Sequence, residues 1–404
     1  MDPQNHMQIE SDFNSLAGVA SLVSTIGNDA SMRLRDVEVT PIGERLVLRN
    51  RKTGATLLSN SFGVLILDGI RDGCDVGTIS RRLVRYFNDA GEANVFIQET
   101  VRSWTHAGLF GAPSQRPIVA SETRASLMYE ACFTVGSRQF RFLSESAEVF
   151  GDVASLMADY RAKSLPKQAI ATISVLSTTA GHEVYLDDTA VWRPGSADEA
   201  RFLVIQTALS VLAGPENVSA VFHAAAVVRD DEALLLAGPS GKGKTTLALL
   251  LSRHGWNFAG DDLIALHRDG RRIVALPLAA HFKSANLSEV EDGTARVAFH
   301  IERQGGYAWP LRTALSGNLF SVSAIVFPQY QPESEFLATA VAPEAALQYL
   351  LKTGTEIVPS SGSVRPLARL LDSIPTQSWT YGRNNDAVAA ANNIFSRNRI
   401  KDKL

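Results

Sequence analysis

Gly238-Pro239-Ser240-Gly241-Lys242-Gly243-Lys244-Thr245-Thr246 follows the apolar run Ala233–Ala237 and opens the apolar stretch Thr245–His254. Its first eight residues fit G-x-x-x-x-G-K-[ST], and they stand between a strand-like and a helix-like segment, as the mechanism of that loop requires. At ordinary residue usage the pattern arises by chance in on the order of one in a hundred chains of this length. Gly238, Gly241 and Gly243 let the backbone turn its N–H groups inward around a polyphosphate, and the helix N-terminus adds a favourable dipole. Lys244 then neutralises the transferred phosphate and Thr245 holds Mg²⁺ through its hydroxyl. Pro239, Ser240 and Thr246 complete the expected contact set, while Lys242 either touches phosphate or is an exposed spectator. The loop calls for a nucleoside triphosphate and leaves the acceptor open.

Downstream, Asn257–Gly260 ends in the doublet Asp261-Asp262. Two adjacent carboxylates at a strand end beside a metal–phosphate allow one to take the metal and the other to accept a proton from an attacking hydroxyl. An Asp-Asp turn is the plain alternative. Upstream, His223 ends a strand at the same sheet edge, as a site residue or as a histidine held by a backbone contact. Strands are expected at Ala220–His223, Ala225–Val228, Ala233–Ala237 and Ala324–Phe327, with helices at Ala197–Leu212, Thr245–His254, Pro343–Leu351 and around Asp386–Phe395.

The 404 residues, 45% apolar and 20% charged, predict two or three packed domains and exclude wholesale disorder. Lys plus Arg (39) against Asp plus Glu (42) leaves a net charge of -3, so charge gives no whole-chain reason to expect nucleic acid or an anionic membrane as partner. Cys74 and Cys132 cannot make a disulfide framework, and no Cys/His cluster has zinc spacing. The N-terminus lacks a basic region ahead of an apolar run, and no stretch approaches the roughly 20 apolar residues of a membrane span. A cytoplasmic protein is expected, with a homo-oligomer left open.

Residues 1–36 are rich in Ser, Asn and Asp and read as a flexible lead-in. From Val37, strand-like runs Val37–Val39, Leu46–Leu48 and Ala55–Leu58 surround turns at Pro41-Ile42-Gly43 and Lys52-Thr53-Gly54. Three helices follow: one capped by Ser61 through Ile70, one capped by Asp75 through Phe87, and one carrying Val95, Ile97, Val101 and Trp104 before Gly108. Residues 111–130 read as a linker, and 131–200 as a β-rich segment.

The loop, the histidine and the doublet together resemble the catalytic domain of HPr kinase/phosphorylase, a P-loop serine kinase related in fold to phosphoenolpyruvate carboxykinase. In that family a histidine precedes the metal-binding hydroxyl residue by 22 positions, and the second Asp of a doublet follows it by 17. Here Thr245 lies 22 positions after His223, and Asp262 lies 17 after Thr245. The resemblance implies that Lys244 and Thr245 contact phosphate and metal, Asp262 is the base, Asp261 supports the metal, and His223 is the active-site histidine. ATP and Mg²⁺ are the implied cofactors. The family's downstream glutamate-arginine-glycine signature is missing between Pro277 and Pro310, which puts the reverse reaction in doubt. Lys283, Arg296, Arg303 and Arg312 are candidates for a cation that assists transfer.

The three-strand, three-helix pattern of 37–110 is similar to PqqD, the winged-helix-like leader-peptide-recognition fold. That resemblance implies a precursor peptide whose leader adds to Ala55–Ser59 and lies against Val95–Trp104. The implied organisation is α+β/α-β multidomain. It runs as lead-in 1–36, recognition domain 37–110, β-rich segment 131–200, P-loop kinase core 201–382 and C-terminal tail or helix 383–404. The implied activity is phosphorylation of a Ser or Thr hydroxyl on that peptide. A kinase of another acceptor, such as an HPr-like protein or free serine, and a nucleotide-gated peptide-binding module are the alternatives.

Overall fold

A computed structural model describes residues 36–87, 89–110, 127–135, 138–162, 171–282, 295–300, 305–310, 312–358 and 363–401. It is a mixed α/β structure that divides into two compact units, residues 1–114 with 362–368, and residues 115–361 with 369–404. The lead-in 1–35, most of the linker, Lys283 and Arg303 lie outside the described residues.

Unit 1 begins with the antiparallel strands β1 (Val37–Ile42), β2 (Arg45–Asn50) and β3 (Thr56–Ser59), in the order β1-β2-β3. Pro41 lies inside β1 opposite Leu46, where the sequence suggested a turn. β1 is an edge strand, and an edge tolerates a residue that cannot donate to the ladder. Three helices follow, α1 (Ser61–Arg71), α2 (Val76–Leu83) and α3 (Ala90–His106). Asn60, not Ser61, caps α1: it stands in extended conformation, and its side chain accepts from the Gly63 N–H at 2.9 Å. Asp75 and Asp89 cap α2 and α3 in the same way. The buried faces of the helices, among them Ile66, Ile70, Leu83, Ile97 and Trp104, close on Val37 and Leu48 of the sheet.

Residues 363–368, expected within the kinase core, belong to unit 1. They hold Glu38, whose carboxylate accepts from Ser363 Oγ (2.8 Å) and the Val364 N–H (3.3 Å) and pairs with Arg365 Nε (2.8 Å) and Arg51 (3.6 Å).

Unit 2 opens with β4 (Tyr129–Val135), β5 (Arg138–Ser144), α4 (Ala147–Leu156), β6 (Ala171–Thr178), β7 (Gly181–Leu186), β8 (Thr189–Trp192) and α5 (Ala197–Ala213). The strands form a sheet in sequence order. β5 and β6 are parallel, so the chain must cross over between them. α4, which no sequence expectation covered, lies in that connection. Phe133, Phe140 and Ile173 share one apolar cluster with Leu209 of α5 and with Val221, Leu263 and Ala265.

The rest of unit 2 comprises β9 (Val218–Phe222), β10 (Ala224–Arg229), β11 (Glu232–Ala237), α6 (Lys244–Arg253), β12 (Asn257–Gly260), β13 (Ile264–His267), β14 (Arg272–Val274), β15 (Ala280–Phe282), β16 (Ala295–His300) and β17 (Gly305–Pro310). It continues with β18 (Leu319–Tyr330), β19 (Leu337–Ala340), α7 (Pro343–Lys352), β20 (Glu356–Ile357), the part of α8 (Arg365–Ser373) from Arg369 on, β21 (Thr376–Tyr381) and α9 (Asn384–Lys401). The main sheet runs β12-β10-β11-β18-β14-β13-β9-β20, with β21 also on β18 and β19 on β21. β15, β17 and β16 form a separate sheet.

β10 and β11 are apolar at nearly every position because both faces are covered. β18 extends well beyond the expected Ala324–Phe327 because it borders β11 on one side and, on the other, first β14 and then β21. The stretch 383–404 is no loose tail over 384–394, since Ala387, Val388 and Ala391 of α9 are buried against Leu247, Leu251 and Trp256. Asn392 accepts from Arg229 (2.7 Å) and from the Trp256 indole N–H (3.2 Å), and the Arg229 guanidinium lies over that indole. Among the described residues no helix is long and apolar enough to cross a membrane.

Candidate functional site

The site is built where two neighbouring strands break together. Phe222 pairs with Ile264 at the end of β9, and Ala226 pairs with Gly260 within β10. Residues 223–225 therefore face residues 261–263 across an interruption of one antiparallel ladder. His223 occupies the break on one side and Asp261-Asp262 on the other. Asp262 turns with φ +65°, a left-handed conformation that aspartate tolerates better than most residues. His223 Nε2 stands 3.8 Å from Asp262 Oδ1. The other ring nitrogen, Nδ1, lies 2.8 Å from the Thr353 carbonyl, which can only accept. Nδ1 thus carries the proton, and Nε2 is left to face the carboxylate. Gly354, with φ +100°, brings that turn close: a Cβ there would lie 3.3 Å from the imidazole.

β11 delivers the glycine loop to the same edge, because Ala224, next to His223, pairs with Ala237. Five of the helices above start under a side-chain cap: Asn60, Asp75, Asp89, Ser146 and Ser196. α6 is preceded by Gly243, which has φ +93° and no side chain to accept from the first N–H groups, and its first turn holds no acidic residue. Its leading N–H groups are left for an anion, and the dipole favours one. Lys244 is buried at 6% exposure, and its ammonium donates to the carbonyls of Gly238 (2.7 Å) and Pro239 (3.1 Å), spanning the loop. Ser240, Gly241, Lys242 and Thr246 are exposed.

Thr245, second in α6, donates its hydroxyl to the Asp261 carboxylate at 2.9 and 3.2 Å. The His281 N–H reaches the same carboxylate at 3.2 Å. Burial, reinforced by the neighbouring charge of Asp262, pushes the Asp261 carboxyl up to about 7, against the pull of Thr245, the His281 N–H and Lys244. A buried acid in that condition would be relieved by a further positive charge. Among the described residues no group of three or more His, Cys, Asp or Glu side chains could hold a metal. Asp261 with Thr245 offers two hard oxygens, which suits Mg²⁺ when phosphates and water complete its shell.

The chain matches no family model. No curated protein matches it either. Among solved structures it is similar to the Hpr(Ser) kinase/phosphatase from Coxiella burnetii, at 13% identity over 46% of this chain and 99% of that one, with a TM-score of 0.24. A score that low bears on neither fold nor chemistry.

Lys244, Thr245, Asp261, Asp262 and His223 thus meet at one sheet edge through contacts internal to unit 2. Arg312, a candidate cation, is exposed beside β12, where its carbonyl accepts from the Phe258 N–H. The side chain of Arg296 lies outside the described residues, as do Lys283 and Arg303 altogether. The sequence reading missed Thr353 and the His281 N–H. Both act through backbone atoms and carry no side-chain signal for those roles.

Proposed function

We propose that this protein is a kinase that uses ATP and Mg²⁺ to phosphorylate a serine or threonine hydroxyl of a ribosomally made precursor peptide, with unit 1 binding the leader. The observation that carries the reading is the joining of Thr245 to Asp261, which ties the glycine loop to the acidic doublet and leaves Asp262 beside it facing His223.

The loop N–H groups and Lys244 bind and orient the polyphosphate. Thr245 and Asp261 would hold Mg²⁺, which would neutralise charge on the phosphates. Asp262 accepts the proton of the acceptor hydroxyl as its oxygen bonds to the terminal phosphorus and the bond to the departing diphosphate breaks. His223, held through Nδ1 by the Thr353 carbonyl, orients the Asp262 carboxylate when Nε2 is protonated as well, as the imidazolium. A peptide acceptor is supported by the free edge of unit 1: among the described residues β3 pairs with β2 alone, and Val95 of α3 is 54% exposed. An extended leader adding there would bind through its backbone and raise the local concentration of the acceptor.

Incubation with γ-labelled ATP and a precursor peptide tests this. The expected result is label in the peptide, reduced when the leader is deleted and lost in Lys244→Ala. Label in a free amino acid or a folded protein would reassign the acceptor, and nucleotide binding with no transfer to any hydroxyl would reduce the chain to a binding module.

A further inference from the structure

On the far side of the loop from Asp261 stands a pair of aromatic rings that the proposed chemistry does not use. β12, β11, β18 and β21 run in one direction, since β12 and β11 are both antiparallel to β10 and β18 is parallel to β11 and β21. Their C-terminal ends converge on one edge, the end of an α/β sheet at which ligands gather. The loop leaves β11 at this edge. β12, on one side of it, ends in Asp261. β18, on the other side, continues past Val326, which pairs with Leu236 of β11, to Tyr330.

Tyr330 pairs in register with Tyr381, and the rings meet edge to face at 5.7 Å. Tyr381 is buried and locks the arrangement, whereas Tyr330 is 47% exposed. Both abut the loop, because a Cβ on Gly243 would lie 3.3 Å from the Tyr381 hydroxyl and 3.6 Å from Tyr330 Cβ. A ring braced edge to face by its neighbour, half open to solvent and beside the start of α6, offers an exposed face as a platform.

We infer that Tyr330 is the stacking platform for the nucleobase. This rests on the loop holding a nucleoside triphosphate. With the terminal phosphate directed to Thr245 and Asp261 on the β12 side, the nucleoside end leaves toward β18, where Tyr330, at the start of α6 and 47% exposed, is a more open ring than Tyr349 beside Gly238 at 36%. Stacking uses the π-face that every base has, and losing one such contact costs on the order of tenfold or more in affinity.

Calorimetric titration of the full chain with Mg²⁺-ADP and, separately, with Mg²⁺-tripolyphosphate tests the assignment. Tyr330→Ala is expected to weaken ADP binding about tenfold and to leave tripolyphosphate binding unchanged, with Tyr330→Phe retaining wild-type affinity for both. Equal losses for the two ligands would mean that the substitution disturbs the loop, and undiminished ADP affinity would mean that the base lies elsewhere. Either result overturns the platform. If the wild type binds neither ligand, the loop reading itself fails. If it binds both, with Lys244→Ala weakening both, the loop reading stands whatever Tyr330 does.

Discussion

Glu38 in unit 1 and Asp261 in unit 2 both keep their carboxylates out of water, at 5% and 4% exposure. Glu38 is surrounded by Arg365, Arg51, the Ser363 hydroxyl and the Val364 N–H, so its charge is met from several sides. Asp261 receives one hydroxyl and one N–H, has Lys244 acting at longer range, and stands beside another carboxylate. Burial of a charge is costly unless it is compensated. A carboxylate that serves the fold is compensated by the fold, while one left short of positive charge is arranged for a ligand that supplies it. The two sites therefore predict opposite responses to substitution.

The largest effect is expected at the chemical site. Asp262→Asn, nearly isosteric, should lower the transfer rate by about 10²- to 10⁴-fold while nucleotide affinity stays within a few-fold, read from single-turnover kinetics beside calorimetry. Full activity in that variant would remove Asp262 as the base. Glu38→Ala should act on the fold instead. Arg51 and Arg365 are more than half exposed and return to water, but the buried Val364 N–H and the Ser363 hydroxyl lose their acceptor, which costs about 1–3 kcal/mol. Denaturant unfolding should lose that much stability, with transfer to a leaderless acceptor unchanged at temperatures where the variant is folded. A loss below about 1 kcal/mol would place Glu38 with ordinary surface pairs.

Ligand removal separates the two further. Mg²⁺-nucleotide at a hundred times its Kd should add about 2.7 kcal/mol to the stability of the folded chain, and the gain should vanish in Lys244→Ala. Smaller still is a pH effect at Asp261. Its carboxyl is held near 7 in the folded chain against an ordinary value of 3.8, so the folded state keeps a proton that the unfolded state has released. That contribution is full below the ordinary value and is lost as pH rises toward about 7 and just beyond. Asp261→Asn should accordingly gain stability relative to wild type between pH 5 and pH 8, measured by urea unfolding without ligand. A flat difference across that range would contradict the charge deficit. The exposed pair Arg82–Asp72, at 3.9 Å, serves as the control. Removing it should change stability by less than about 1 kcal/mol.

How much of this could be read from the chain depends on how local each cause is. The loop Gly238–Thr245 and the cap Asp75 act within a few residues, so their positions follow from the sequence. Asn60 displaced Ser61 as a cap through a one-residue difference that only the backbone conformation decides. Pro41 entered a strand because β1 is an edge, and which strand lies at an edge is set by pairing. α4 has no strong pattern ahead of it, yet the parallel pairing of β5 with β6 requires a crossover there. His223 and Asp261-Asp262 could be singled out by spacing, but their facing each other depends on the shared break in β9–β10 and β12–β13. Thr353 and Tyr330 come to the site from segments that follow the loop by about a hundred residues, and each looks ordinary in its own stretch.

The segment 363–368 has a consequence for how the chain is made. Unit 1 consists otherwise of residues near the N-terminus, Arg51 among them, yet the other groups that meet Glu38, Ser363, Val364 and Arg365, are synthesised about 325 residues after it. At about 5–20 residues per second, the first unit waits tens of seconds on the ribosome without the groups that Ser363, Val364 and Arg365 bring to that acid. It is the first unit begun and among the last completed, and a fragment ending near residue 114 would never complete it.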